Sequence, residues 1–194
     1  ELRTSQGSVL LDGQSVPLYR PPEGAKVLTI CLPEDPPSQI PPVAGALQVL
    51  YEDDHLIILD KAAGMAVHPG PGHHGDTLGK SRSWHYEARG EHHLFRPVNR
   101  LDRGTSGLVC VAKHALAAQL LGQALERGRF QKEYLAVCQG IPEQLEGRID
   151  APIGRREGSV LERQVRPDGK RAVTRYRALG GRHGRSLLHI RPET

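Results

Sequence analysis

The sequence predicts an α+β fold: a mixed, largely antiparallel central sheet with flanking helices. Strand-like runs outnumber helical ones, and the two do not alternate as they would in a doubly wound parallel fold. Turn signals rich in glycine, proline and aspartate separate successive strand-like runs. The 194 residues suffice for one good-sized core, or one core with a small appendage.

From the amino terminus, Gly7 to Leu18 reads GSVLLDGQSVPL, and Asp12-Gly13 between its apolar runs is a hairpin signal. Val27 to Leu32 supplies a third strand. Cys31 to Val43 carries Pro33, Pro36, Pro37, Pro41 and Pro42, a density that favours extended chain without a packed core. The expected division is a small β-rich piece over 1–32, a linker over 33–45 and a main domain over 46–194. In that domain Leu47–Tyr51 and Leu56–Leu59 read as short strands around the acidic turn Glu52-Asp53-Asp54. Met65–Val67 reads as another strand, and His68–Gly75 as a Gly/Pro/His loop. Thr77–Glu87 is weakly helical. Leu108–Ala112 reads as a buried strand, and His114–Arg127 as an amphipathic helix stopped by Gly128. Strands are expected at Phe130–Val137, Gly147–Ile149, Ala172–Leu179 and Ser186–Arg191. The expected turns are Gly154–Gly158, Pro167–Gly169 and Gly180–Gly184.

Twenty-six Lys and Arg against 22 Asp and Glu leave a net charge of +4, which permits an anionic polymer as partner without demanding one. No apolar run is long enough to span a bilayer and no signal-peptide pattern is present. Cys31, Cys110 and Cys138 lack metal spacing and fit reduced thiols in the cytoplasm. Cys110 and Cys138 sit in apolar alternating runs and read as core fillers.

The most informative stretch is RPVNRLDRGTSGLVCVAK, Arg96 to Lys113. Asp102 stands between Arg100 and Arg103, and neighbouring positive charge favours its ionised form. A carboxylate held on a tight glycine-bearing loop can act as a nucleophile toward a sugar carbon. The bland alternative is an ion pair that fixes a turn. Ser106 is not a nucleophile elbow, because Leu108 stands where the second glycine must be. Gly104 to Gly107 matches a bare GxxG, but it leads into a strand rather than joining helices.

RLDRGTSGLVCVAK resembles the signature of RluA-type pseudouridine synthases, usually HRLDRDTSG followed by a strand and a helix. YEDDHLIILDKAAGMAVHPG resembles the same family's early motif, and FQKEYLAVCQG its K-x-Y-x-A strand. IDAPIGR, DGKRAVTRY and LLHIRPET follow in the family's order, so the resemblance covers Leu47 to Thr194. Asn99 stands where the family usually has His, Gly104 where it often has Asp, and Ala62 in place of a usual Pro. After RPET the family continues with a segment bearing an arginine that pairs with the aspartate, so the domain is expected to lack its C-terminal part. The N-terminal piece resembles the tail of an S4 RNA-binding domain.

The resemblance implies a pseudouridine synthase fold and isomerisation of uridine to pseudouridine in ribosomal or transfer RNA. No cofactor and no metal are implied, nor an obligate protein partner or a membrane, and a monomer is expected. By resemblance Asp102 is the catalytic residue, nucleophile or base at the ribose. Tyr134 is the residue that stacks on the target base, and Arg100 helps displace that base from the helix. Arg103 reads as a surface charge. A hydrolase using Asp102 would need a second carboxylate. Glu133 adjoins Tyr134 and is expected to point to the opposite face of its strand. An RNA-binding module without catalysis is the remaining alternative.

His68, His73, His74, His92 and His93 suggest a metal, but they lack a rigid tetrahedral set and read as a solvated or RNA-facing loop. Arg155, Arg156, Arg163, Arg166, Lys170 and Arg171 cluster in hairpin-like sequence, either as phosphate contacts or as a solvated basic face.

Overall fold

The structure, a computed structural model, describes residues 9–15, 24–31, 35, 38, 40–45, 47–70, 77–159 and 162–193. The chain forms two compact units, Glu1–Ala118 and Gln119–Thr194.

In the first unit, β1 (Val9–Leu11), β2 (Gln14–Ser15) and β3 (Leu28–Ile30) form an antiparallel sheet in the order β2-β1-β3. Asp12 and Gly13 have φ of 47° and 83°, the primed turn that matches strand twist. The Asp12 carboxylate also accepts from the backbone N–H of Val27 at 2.9 Å, which ties the hairpin to its third strand. Gly7, Ser8, Val16–Leu18 and Leu32 of the expected strands lie outside the described residues. Within the proline-rich segment, Asp35 is bound by both terminal nitrogens of the Arg96 guanidinium and by the Leu94 N–H at 3.0 Å. The hydrogen bond from Arg96 holds its carboxyl below the usual range, against the opposing effect of burial.

Then follow β4 (Gln48–Glu52), β5 (Leu56–Lys61), α1 (Leu78–Glu87), β6 (Arg96–Pro97) and β7 (Gly107–Ala112). Their sheet runs β4-β5-β7-β6, antiparallel throughout. In β5 the sequence LIILDK alternates, so Ile57, Leu59 and Lys61 point inward and are buried. Ile57 and Leu59 form one core with Val109 and Val111 of β7 and with Val67, Leu78 and Tyr86. Thr77 caps α1, its hydroxyl accepting from the Lys80 N–H at 3.3 Å. The helix reads weakly in sequence because its buried side includes Gly79, Ser81, Arg82 and Ser83. Gly79 is needed there, since a Cβ would lie 3.0 Å from the Phe95 ring. Met65–Val67 is not a strand. Ala66 makes only an isolated parallel bridge to Thr77, because the chain is already turning into α1. Arg96–Pro97 is a strand that proline hid from the sequence reading.

Glu52, at the end of β4, accepts from Tyr86 Oη at 2.8 Å and Lys113 Nζ at 2.9 Å, with Arg89 Nη1 3.3 Å from its other oxygen. Burial opposes ionisation, yet the Lys113 and Tyr86 hydrogen bonds and the Lys113 and Arg89 charges hold the carboxyl at about 2, against an ordinary 4.5. A carboxyl depressed in the folded state stabilises above its unfolded pKa and loses that contribution as pH falls through the folded one. About 2 to 3 kcal/mol is therefore expected to disappear between about pH 4.5 and 2. Acid titration of thermal stability should show this loss, and Glu52→Gln should flatten it.

The helix α2 (Ala115–Glu126) ends as its glycine stop predicts: Gly128 has φ 67°, and the Arg129 N–H reaches the Ala124 carbonyl at 2.8 Å. In the second unit, β8 (Tyr134–Gln139), β9 (Glu146–Asp150), β10 (Ile153–Arg155), β11 (Arg163–Val165), β12 (Val173–Arg182) and β13 (Arg185–Pro192) follow. An antiparallel sheet runs β8-β13-β12-β9, and β10 pairs with β11 in a separate antiparallel hairpin. Strand β8 starts at Tyr134 rather than Phe130. Ile153–Arg155 is strand where a turn over Gly154–Gly158 is expected, so the turn is confined to Glu157–Gly158. Gly180 and Gly181 likewise stay in β12. The turn is His183-Gly184, with φ of 53° and 69°. Glycine there serves close packing, since a Cβ on Gly181 would meet the Arg185 carbonyl oxygen at 3.1 Å.

The expected α+β class, with antiparallel pairing in every strand pair and two helices, holds among the described residues. No described helix is long and apolar enough to cross a membrane. Cys110 is buried, and burial pushes its thiol up to about 11, so it serves as core. Cys138 is only half-buried and Cys31 is exposed.

Candidate active site

Asp102 lies on the loop between β6 and β7, and its side chain is exposed. The loop is anchored at three places. At its start the Asn99 amide donates to the Leu108 carbonyl at 3.0 Å and accepts from the Cys110 N–H at 2.9 Å, and the Val98 N–H reaches the Cys110 carbonyl at 2.8 Å. One donor and one acceptor are what a neutral imidazole also offers, so Asn99 can occupy a position where relatives usually carry His. At the apex the Thr105 N–H bonds the Asp102 carbonyl at 3.0 Å and closes a tight turn around Asp102.

The third anchor is the segment after β5. The Gly64 N–H donates to the Arg103 carbonyl at 2.7 Å, and Arg103 Nε returns a bond to the Gly64 carbonyl at 2.8 Å. Gly64 has φ 86°, so its reach to the loop depends on a conformation that favours glycine. Arg103 is therefore more than the surface charge expected from sequence. It staples the loop that bears Asp102.

Lys61 lies beneath this staple and has no solvent exposure. Its ammonium donates to the Met65 carbonyl at 2.8 Å, the Ala62 carbonyl at 3.0 Å and the Arg103 carbonyl at 3.4 Å. Burial lowers its pKa, and the negative charge of Asp102 pulls it back up. The sequence reading missed Lys61. The available signal was its place on the inward phase of β5, in line with Ile57 and Leu59.

Arg100 is exposed on the same loop. Its charge, after burial, helps lower the pKa of His68, which is half-buried against the Phe95 ring at a centroid distance of 5.0 Å. His93 instead faces Glu91 at 3.2 Å, and His92 is exposed. His73 and His74 lie outside the described residues. Among the described residues no cluster of His, Cys, Asp or Glu could hold a metal.

Tyr134 belongs to the second unit. It opens β8, half-buried, opposite Ile190, and shares that row with Tyr176 and Gly147. Tyr176 lies flat over Gly147, where a Cβ would come within 2.8 Å of its ring. No described residue hydrogen-bonds the Tyr134 hydroxyl. Glu133 turns to the other side of the sheet, where it meets His189 at 3.1 Å, the residue paired with Leu135. It is thereby separated from the face that carries Tyr134, as its position next to that tyrosine predicts.

The loop thus presents the exposed Asp102 between Arg100 and Arg103 in sequence, its backbone carbonyl held by the Thr105 N–H, with the buried Lys61 ammonium near enough to feel its charge. The family model described as RNA pseudouridylate synthase matches residues 55–194. An uncharacterized RNA pseudouridine synthase of Bacillus subtilis (strain 168), YhcT, is 36% identical over 85% of this chain and 55% of its own length. Ribosomal large subunit pseudouridine synthase D of Zymomonas mobilis subsp. mobilis is 36% identical over 86% of this chain and 54% of its own. The chain therefore spans little more than half the length of these relatives. Among solved structures, human RNA pseudouridylate synthase domain containing 1 superposes with a TM-score of 0.62 at 21% identity, covering 77% of this chain and 60% of that one. At that identity the likeness establishes the fold.

Proposed function

Because this chain belongs to the RNA pseudouridylate synthase family, we propose that it isomerises specific uridines in structured ribosomal or transfer RNA to pseudouridine. The observation that carries the proposal is the exposed Asp102 on a loop pinned by Asn99, by Gly64 and by the Lys61 ammonium at the Arg103 carbonyl. In the reaction the bond from uracil N1 to C1′ breaks, the base rotates, and C5 bonds to C1′. The C5 proton is released and N1 gains one, so the RNA keeps its composition. The carboxylate of Asp102 acts at the ribose, as nucleophile on C1′ or as base toward the 2′ proton. Extruding the uridine costs a few kcal/mol. Arg100, exposed beside Asp102, offers a planar cation to fill the vacated stack. Tyr134 stacks on the extruded base, its hydroxyl free to assist at C5. The protein works as a cytoplasmic monomer without an obligate protein partner.

Release of tritium from RNA carrying 5-tritiated uridine tests the proposal. With RNA that lacks the modification, the full-length protein should release tritium while RNA mass stays constant. Free uracil among the products would identify a hydrolase instead. Tight RNA binding without release would identify a binding module. Tyr134→Phe is expected to keep its RNA affinity and to slow conversion by on the order of 10²-fold. An unchanged single-turnover rate would reduce the tyrosine's part to stacking.

A further inference from the structure

Strand β6 meets β7 through two residues, Arg96 opposite Ala112 and Pro97 opposite Val111, where β5 and β7 share six pairs. Pro97 has no N–H to give to the ladder. Among the described residues β6 is also an edge of its sheet, with no strand on its outer side. The Asp102 loop nevertheless departs from this strand. Val98 and Asn99, which tie the start of the loop to β7, follow Pro97 directly. A carboxylate that must meet one ribose carbon needs a firmer base than two paired residues, since a misplacement of about 1 Å is enough to slow a reaction severely.

The proline-rich segment supplies that base. The Asp35 carboxylate does what an adjoining strand would do, accepting from the Leu94 N–H at 3.0 Å and from both terminal nitrogens of Arg96. Only 11% of the Asp35 side chain and 20% of the Arg96 side chain is exposed, so solvent weakens this pair less than a surface one. Phe95, between the two bound residues, packs on Gly79 of α1, and Ile40 reaches the same glycine: a Cβ there would lie 3.0 Å from the Phe95 ring and 3.4 Å from Ile40 Cδ1. Further along, the Val43 N–H donates to the Lys80 carbonyl at 3.4 Å, and Gly45 lies so close to α1 that a Cβ would meet Ser81 Oγ at 2.8 Å. Pro41 and Pro42 limit the freedom of the chain between Ile40 and Val43. Asp35 is thus the end of a strap that runs along α1 and grips β6. Apolar contact alone would hold such a strap, because burying two charges opposes much of what their attraction returns. A two-pronged guanidinium–carboxylate pair adds direction, and it fixes the distance and angle at which Arg96 is held.

We infer that Asp35 is a positioning residue for the Asp102 loop: through Arg96 and Leu94 it fixes β6, and with it the point from which Asp102 is presented, so that it governs the rate of isomerisation and not the affinity for RNA. The inference rests on the isomerase function proposed above. It adds a residue outside the stretch 55–194 that the family model matches.

The test uses the full-length protein and two readouts: single-turnover tritium release from 5-tritiated RNA lacking the modification, and amide hydrogen exchange without RNA. Asp35→Asn keeps the size of the side chain but leaves one acceptor for the Leu94 and Arg96 donors. It should slow release by on the order of tenfold while the Kd for the same RNA stays within about twofold of the wild type. The amides of Val98 and Cys110, which bind the Cys110 carbonyl and the Asn99 side chain, should exchange about tenfold faster, and those in β4 and β5 should keep their protection. Asp35→Glu, which retains both acceptors, should recover most of the rate. Arg96→Lys, which keeps the charge and loses the fork, should show the pattern of Asp35→Asn in weaker form and reads the same contact if Asp35→Asn does not fold. Wild-type rate in a folded Asp35→Asn protein overturns the inference. So does a slowed rate with unchanged exchange at Val98 and Cys110, exchange that rises evenly through every strand, or a Kd that rises in proportion to the lost rate. Absence of release by the wild type would sink the isomerase reading instead, and the exchange measurement would still decide whether Asp35 holds the loop.

Discussion

Asp102→Asn is expected to lower kcat for pseudouridine formation by on the order of 10⁴-fold or more, as loss of an essential nucleophile does elsewhere. RNA affinity and the circular dichroism spectrum should stay as in the wild type. The substitution keeps the side chain's shape, and the contacts that hold the loop at this residue are main-chain: the Asp102 carbonyl still accepts from the Thr105 N–H. The change is therefore confined to the charge and nucleophilicity of one exposed group. Single-turnover tritium release, run beside a binding titration, separates the two effects. Turnover within tenfold of the wild type would remove Asp102 from the chemistry, and a parallel loss of RNA binding would make it a binding residue.

Lys61→Met is expected to act on both stability and rate. Methionine fills a similar volume in the core but offers nothing to the carbonyls of Met65 and Ala62, which the ammonium meets at 2.8 and 3.0 Å. Hydrogen bonds from a charged donor contribute about 1.5 to 3 kcal/mol each, and relief of the buried charge offsets part of the loss. A net destabilisation of about 3 kcal/mol follows, which for a chain of this size lowers Tm by roughly 6 to 12 °C. The segment that reaches Arg103 loses its buried support, so kcat should fall by on the order of 10-fold or more while the RNA Kd changes little. Lys61→Arg would not rescue it, because a guanidinium is too broad for a site shaped around a point charge. A variant with wild-type Tm would show that the segment holds itself.

Several parts of this arrangement are legible in the sequence because they obey local rules. Asp12-Gly13 takes positive φ as a two-residue hairpin turn requires, and Gly128 ends α2 as a glycine stop should. The inward alternation of β5 reads directly from LIILDK. The Asp102 loop is legible for a different reason: the residues proposed to act there stand together in the RLDR segment. What escaped the sequence depends on partners far away in the chain. Arg103 looks like a solvated charge until Gly64 is placed opposite it, and Lys61 looks like the polar end of a strand until the loop closes over it. Strand β6 was hidden because Pro97 spoils a strand pattern, although an edge position tolerates it. Helix α1 was weak because tertiary contacts bury Ser81, Arg82 and Ser83, which no periodicity of apolar residues announces.

The anchors of the Asp102 loop differ in what they allow to vary. Ala62 takes part through its carbonyl oxygen, which every amino acid possesses, so exchange of proline for alanine there is silent to the lysine beneath it. Gly64 contributes through backbone at φ 86°, and few replacements reach that geometry. Lys61 contributes through the one atom at the end of its side chain. Among these neighbours in sequence, a lineage can drift at one site while two others stay frozen, and a saturation library over residues 61–65 should return that pattern: intolerance at 61 and 64, latitude at 62.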